Sequence, residues 1–216
     1  MNKVLGSIVV AAVAAAGVTG SAGAQVCAGF PTVDRQFSFG VNAQFVDGSE
    51  LGDILGVEAS YNAQGPLSVF GGLTVVDGQD VIDDVNIYAA GLAYDLTPAV
   101  APGAVSLCPQ LSISYARIED LGNGINVPLG FGIGTSLVGG TGVSIDPFIV
   151  PQLIFSRFEA DEDLGLGDDD TETSTDVGVY GGVNVSFGRF WIGGSLNHVF
   201  VDEADTQFGI RAGIRL

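Results

Sequence analysis

The chain has 216 residues, of which 47% are hydrophobic and 15% are charged, and its formal net charge is −18 at pH 7. A nucleic-acid partner is excluded by this charge, because phosphate binding needs a basic surface. The 33 glycines and the weak helical periodicity exclude long helices and favour one all-β domain.

The first 24 residues have the parts of a secretory signal peptide. Lys3 supplies a positive charge, residues 4–18 form an apolar run, and residues 22–24 (AGA) fit a small-residue cleavage site. A membrane anchor is the alternative, but the apolar run is too short to cross a bilayer comfortably. We therefore expect cleavage after residue 24, export, and a periplasmic segment at 25–35.

Residues 36–216 alternate between apolar segments and breaks rich in glycine or acid, a pattern that predicts an antiparallel up-and-down barrel. Most segments have about 9 to 13 residues, the length that crosses a bilayer at a tilt. Ten strands are expected, and eight or twelve remain open because Pro147 and Pro151 interrupt the seventh segment. The expected strands are 36–45, 55–63, 67–75, 85–94, 110–118, 125–137, 144–158, 176–187, 190–200 and 206–216.

The last strand shows how the two faces of such a wall are predicted. Phe208, Ile210 and every second residue to Leu216 are apolar, while Arg211 and Arg215 have the opposite parity. We expect the apolar parity to face lipid and both arginines to face the lumen. An outer aromatic belt is predicted from Phe37, Phe45, Tyr61, Tyr115, Phe131, Phe155, Phe187 and Phe190.

The same parity places charges inside the barrel. Glu58 and Asp146 are expected to face the lumen together with Arg211 and Arg215. Because a buried charge needs a partner, we predict that one of these arginines meets one of the acids across the interior.

The breaks between the predicted strands alternate in charge. The odd-numbered breaks hold 21 of the 25 acidic residues. Consecutive connections of an up-and-down barrel lie at opposite ends, so one rim is predicted to be acidic. Bacterial outer-membrane barrels have longer external loops and short periplasmic turns, so we expect the acidic rim outside and both termini in the periplasm.

Two cysteines fit this topology. Cys27 precedes the first strand, and Cys108 lies in the fourth break, so both are expected at the periplasmic end. An exported chain with two cysteines is read as having one disulfide. We therefore predict a Cys27–Cys108 bridge.

These features resemble the small outer-membrane β-barrel superfamily that holds the OmpA-like, OmpX-like and omptin barrels. The resemblance covers residues 36–216 and depends on the alternation, the loop asymmetry and the terminal strand, which ends in Leu216 where such proteins usually have an aromatic residue. It implies location in the outer membrane, contact with its lipid and lipopolysaccharide, and assembly by the barrel-assembly machinery. It identifies no subfamily and implies no cofactor.

The acidic stretch 159–176 is the strongest local signal. Carboxylate oxygens suit Ca²⁺ or Mg²⁺, although the spacing does not match an EF-hand. The alternative is a solvated loop that resists aggregation. The candidate cation ligands are Asp161, Glu162, Asp163, Asp168, Asp169 and Asp170.

The sequence thus predicts a non-enzymatic outer-membrane surface protein with a structural or interaction role: envelope integrity, adhesion, or contact with a cation or ligand. One alternative is a narrow pore for small solutes or cations. Another is an omptin-like rim protease using Asp83 and Asp84 with His198 and Asp202. A soluble β-sandwich would also alternate in this way.

Overall fold

The structure is a computed structural model that describes ten stretches of the chain. Residues 1–35 lie outside them, so the signal peptide and the periplasmic segment stay predictions. Every regular element in these stretches is a β-strand, and they contain no helix long and apolar enough to cross a membrane. The described ranges are 36–46, 54–62, 66–76, 85–96, 105–118, 122–135, 137–138, 143–160, 171–201 and 206–216.

Ten long strands close into one antiparallel barrel. Neighbours in sequence pair throughout, except that β1 pairs with β11 and β6 pairs with β8 to close the ring. The two-residue strand β7 adds a short pairing to β8. The strands are β1 Gln36–Val46, β2 Ile54–Asn62, β3 Leu67–Val76, β4 Val85–Tyr94, β5 Ser106–Ile118, β6 Gly122–Gly134, β7 Leu137–Val138, β8 Val143–Ala160, β9 Thr171–Phe187, β10 Phe190–Val199 and β11 Gln207–Arg215.

We call the two ends of the barrel upper and lower. At the upper end β1 ends and β2 begins, and the strand ends there flank the acidic breaks of the sequence. At the lower end β9 turns into β10 through Gly188 and Arg189. Gly188 has φ +60°, a left-handed conformation that glycine adopts without steric cost.

The barrel confirms the predicted fold class and the expected ten strands, and a β-sandwich is wrong. The bounds of β4 match the predicted 85–94, but β8 and β9 run to 18 and 17 residues. Both extend further toward the upper end than predicted. Glu159 and Glu172, assigned from the sequence to a loop, therefore lie on strands.

The two prolines that weakened the seventh segment are accommodated within β8. Pairing between β6 and β8 passes from Gly130↔Gln152 to Ile133↔Ile149, and the ladder is interrupted opposite Pro151. A proline lacks the N–H that the ladder would use there. The carbonyl of Pro147 still accepts a hydrogen bond of 3.1 Å from the backbone N–H of Thr135.

The outward faces of all ten long strands carry large apolar side chains. On β8, for example, the outward residues from Ile145 to Phe155 are apolar or proline before Arg157 and Glu159 follow. Ten residues at about 3.4 Å each, tilted by about 40°, span about 26 Å of membrane normal, close to the ~25 Å apolar band of outer-membrane barrels. The predicted aromatic belt points outward, and each of its eight residues is exposed.

Candidate functional site

The inward face brings the four predicted lumen charges to one region of the barrel interior. Glu58, Asp146 and Arg211 are at most 4% exposed, and Arg215 is partly exposed near the lower end. They come from β2, β8 and β11, three strands that are far apart in sequence. We call these four residues the lumen charge cluster.

Arg211 is held by contacts from three other strands. Its Nη2 donates a hydrogen bond of 3.0 Å to Oδ1 of Asn184. Its guanidinium carbon lies 5.3 Å from the ring centroid of Phe148 and 5.8 Å from that of Trp191. Cation–π attraction strengthens when the cation is desolvated, so these rings stabilise a charge that water does not reach.

Glu58 lies within electrostatic range of Arg211. Its two carboxylate oxygens are buried and have no hydrogen-bond partner in the structure. A buried carboxylate without hydrogen bonds is costly unless a cation compensates it. Arg211 acts on Glu58 through space rather than through a direct hydrogen bond, and its positive charge offsets part of the cost of burying the carboxylate.

Asp146 and Arg215 form the second half of the cluster. Oδ2 of Asp146 accepts hydrogen bonds from the hydroxyls of Ser144 at 3.1 Å and Ser186 at 3.4 Å. Nη2 of Arg215 donates to Oγ of Ser186 and lies within electrostatic range of Asp146. The serine hydroxyl thus links the two charges across β8, β9 and β11.

Trp191 fills the lumen beside the charges. Its side chain is 1% exposed and lies over two glycines, Gly40 of β1 and Gly213 of β11. A Cβ built at Gly40 would come within 2.8 Å of Trp191 Cζ2. The glycines therefore make the space that the indole occupies.

The upper part of the lumen is apolar. Its residues come from β2, β3, β4, β5 and β8, and we call them the upper apolar cluster. None exceeds 8% exposure: Ile54, Val76, Val85, Ile87, Ala116, Ile118 and Phe158. Like three of the four charges below, these side chains are buried.

Of the other predicted site residues, the structure describes only some. Cys108 lies on β5, not in the preceding break, because that strand begins at Ser106. Its side chain is fully buried on the inward face, whereas Cys27 lies outside the described residues, so the disulfide stays a prediction. The six candidate cation ligands at 161–170 are likewise outside, and the described part holds no group of three metal-ligating side chains.

His198 does not face the lumen. It lies on the outward face of β10 and is half-buried, its Nδ1 is 3.1 Å from Oγ1 of Thr206, and its ring meets that of Phe200 edge-on at 4.9 Å. Asp83, Asp84 and Asp202 lie outside the described ranges, so the omptin-like protease site stays an untested alternative.

Sequence reasoning missed the residues that hold Arg211 in place, Phe148 and Trp191, and it did not pair Asn184 with that arginine. The sequence does predict that all three face inward. Trp191, for example, alternates with the outward residues Phe190 and Ile192. Their meeting depends on which strands face one another across the lumen, and no local pattern contains that information.

Comparison with known proteins gives a likeness of fold. No protein-family model and no curated protein matches the chain. Among solved structures, the translocator domain of the autotransporter NalP from Neisseria meningitidis is 11% identical with a TM-score of 0.51, and the match covers 97% of each chain. LpxR from Salmonella typhimurium is 10% identical with a TM-score of 0.44, over 83% of this chain and 99% of that one.

The N-terminal β-barrel domain of OprF from Pseudomonas aeruginosa is 11% identical with a TM-score of 0.38, over 84% of this chain and 97% of that one. At such identities the likeness concerns fold alone. The chain has the fold of an outer-membrane β-barrel, and its subfamily is not identified.

Proposed function

We propose that this chain, which has the fold of the small outer-membrane β-barrels, is a non-enzymatic surface protein of the outer membrane. In this proposal the barrel is a closed anchor, and the acidic rim at the upper end makes its contacts outside the cell. A structural or interaction role, in envelope integrity, adhesion or ligand contact, fits such an arrangement.

The observation that carries this proposal is the burial of the inward side chains. Arg211, Asp146 and Trp191 are each at most 3% exposed, and the upper apolar cluster packs above them. A lumen of about eight strands is already filled by side chains, and ten strands add little width. The structure therefore favours an anchor over an open channel.

One observation favours the alternative of a narrow pore. Both carboxylate oxygens of Glu58 and the hydroxyl of Ser114 are buried without hydrogen-bond partners. Gly72 and Ala89 lie between them along the pairing of β2 to β5. Small residues beside unpartnered polar atoms mark the stretch of the inner wall along which a cation path would run, so conductance has to be measured.

The experiment is insertion of the purified chain into planar bilayers in concentrated KCl. The closed anchor predicts no steady current above the bare bilayer, while an open porin in the same chamber shows that the bilayer reports channels. Uniform current steps that are cation-selective, and lose that selectivity in Glu58→Gln, would instead establish the narrow pore.

Sidedness is tested on whole cells with a membrane-impermeant maleimide. Thr173 on β9 is exposed at the upper end and Arg189 is exposed at the lower turn. The proposal predicts that Thr173→Cys is labelled in intact cells and Arg189→Cys only after lysis. The opposite pattern would place the acidic rim in the periplasm.

The Cys27–Cys108 bridge is part of this proposal. A bridge would tie the segment before β1 to the lower end of β5, where Cys108 is buried. Mass spectrometry of peptides from the unreduced protein should find the linked pair. Two free thiols after alkylation would contradict it.

A further inference from the structure

Two arginines lie on the lipid-facing side of the barrel at its upper end. Arg117 is the outward residue next to the end of β5, and Arg157 is an outward residue of β8. Both are exposed. In a chain with 7 basic and 25 acidic residues, two cations on the outer face of the two strands that flank β6 need an explanation.

The pairing of the strands brings these arginines to one patch. Arg117 pairs with Asn123 across β5 and β6, and Arg157 pairs with Ile125 across β6 and β8. They therefore flank β6 at successive outward positions. Strand spacing of about 4.8 Å and a rise of about 3.4 Å per residue put their Cα atoms about 12 Å apart.

The depth of the patch is fixed by the residues directly below it. Tyr115 precedes Arg117 and Phe155 precedes Arg157 on the same outward face, and both rings are exposed among apolar neighbours. Aromatic side chains of outer-membrane barrels mark the membrane interface. The guanidinium groups thus lie one step above the apolar band, at the depth of lipid headgroups.

A third donor belongs to the patch. The hydroxyl of Tyr115 donates a hydrogen bond of 2.6 Å to Oδ1 of Asn123. This contact uses the amide oxygen and leaves the Asn123 amide nitrogen to donate elsewhere. Two guanidinium groups and the amide N–H₂ of Asn123 between them place several donors on one face, the kind of surface that binds phosphate oxygens, and Glu159, paired with Asn123, supplies one carboxylate at its edge.

We propose that Arg117, Asn123 and Arg157 form a binding site for the phosphate groups of an anionic glycolipid in the outer leaflet. The site deepens the proposed function, since it requires the barrel to be in the outer membrane with its upper end outside. The separation of the arginines suits a headgroup with two phosphates, one at each guanidinium.

A carboxylate of the protein itself, that of Glu159, competes with a phosphate group for Arg157. Arg157 already contacts Glu159 in an exposed ion pair, with side chains 56% and 52% exposed. Exposed pairs contribute little because water and salt screen them. A phosphate carries more charge than a carboxylate and offers more acceptor oxygens, so it competes well for the same arginine.

The test is a titration of the folded full-length chain in detergent with diphosphoryl lipid A, followed by native mass spectrometry. Wild type should bind diphosphoryl lipid A at least tenfold more tightly than dephosphorylated lipid A. The double variant Arg117→Gln/Arg157→Gln should lose this preference. The matched control Arg189→Gln, which removes an exposed arginine at the lower end, should retain it.

Inorganic phosphate is added as a competitor, and excess phosphate that fails to displace lipid A identifies the headgroup as the ligand. Displacement by phosphate alone, a preference that survives in the double variant, or no preference in wild type overturns the inference. A heat-dependent gel shift, recorded first for each variant, shows that the barrel is folded. Its absence in wild type would contradict the proposed function itself.

Discussion

The inward face of the barrel has two kinds of packing that differ in how much each side chain depends on a particular partner. In the upper apolar cluster, Ile54 and Ile87 fill space and need only neighbours of suitable size. In the lumen charge cluster, Glu58 needs Arg211, and Arg211 needs Asn184 and two aromatic rings. In the upper apolar cluster, the loss of stability is therefore expected to grow with the size of the group removed. In the lumen charge cluster, removing one member should cause a large loss of stability.

The largest effect is expected from removing the lumen cation. Arg211→Met leaves the Glu58 carboxylate buried without compensation, which should lower the free energy of unfolding by about 4 kcal/mol. Urea titration in lipid vesicles, read by the heat-dependent gel band, measures this. The double variant Glu58→Gln/Arg211→Met should recover most of the loss, and equal losses in the single and double variants would show that the two residues are not coupled.

A smaller and graded effect is expected in the upper apolar cluster. Ile87→Ala opens a cavity and should lower the free energy of unfolding by about 3 kcal/mol, while Ile87→Val should cost about 1 kcal/mol. The same titration measures both. If Ile87→Val lowered the free energy of unfolding as much as Ile87→Ala, the size of the side chain would not determine the loss. The contrast with the lumen charge cluster would then be wrong.

The third prediction compares a glycine that contacts Trp191 with one that has no close neighbour. A Cβ at Gly213 would collide with the indole and with the carbonyl of Phe39, so Gly213→Ala should cost about 2 kcal/mol. Gly194 is the matched control, because the nearest atom to its added Cβ lies 4.0 Å away. Equal stability of Gly213→Ala and Gly194→Ala would contradict tight packing around Trp191.

The smallest effect is expected outside the lumen. Arg157→Gln removes the exposed ion pair with Glu159 and should change the free energy of unfolding by less than about 0.5 kcal/mol. The variant is thus a control for the lumen substitutions as well as a probe of lipid binding. A loss as large as that of Arg211→Met would mean that the outer rim contributes to stability as the lumen does.

Alternation predicted the wall of the barrel well, because one face must be apolar for lipid while the other is free to vary. It predicted the bounds of β4 and placed Arg211 and Arg215 on the inward parity. It was less informative at the upper end, where the inward residues are apolar too, as at Val85 and Ile87 of β4 beside outward Asn86. There the apolar parity no longer identifies the lipid side, so the upper apolar cluster was not foreseen.

The upper ends of the strands were missed for a different reason. Residues 171–175 of β9 are threonine, serine and glutamate, and they carry no apolar stripe because they extend beyond the lipid. They are strand because β8 pairs with them, through Phe158↔Glu172 and Arg157↔Thr173. Such pairing is a tertiary constraint, and a single segment does not reveal it.

The central claim is that the apolar parity of the strands faces lipid around a closed, filled barrel. Its most direct test is to fractionate cells and run the outer-membrane fraction on SDS gels, unheated and boiled. We expect a heat-dependent mobility shift in that fraction, because a barrel with paired strands and a packed lumen resists the detergent until it is heated. A soluble periplasmic or secreted protein with no shift would contradict it.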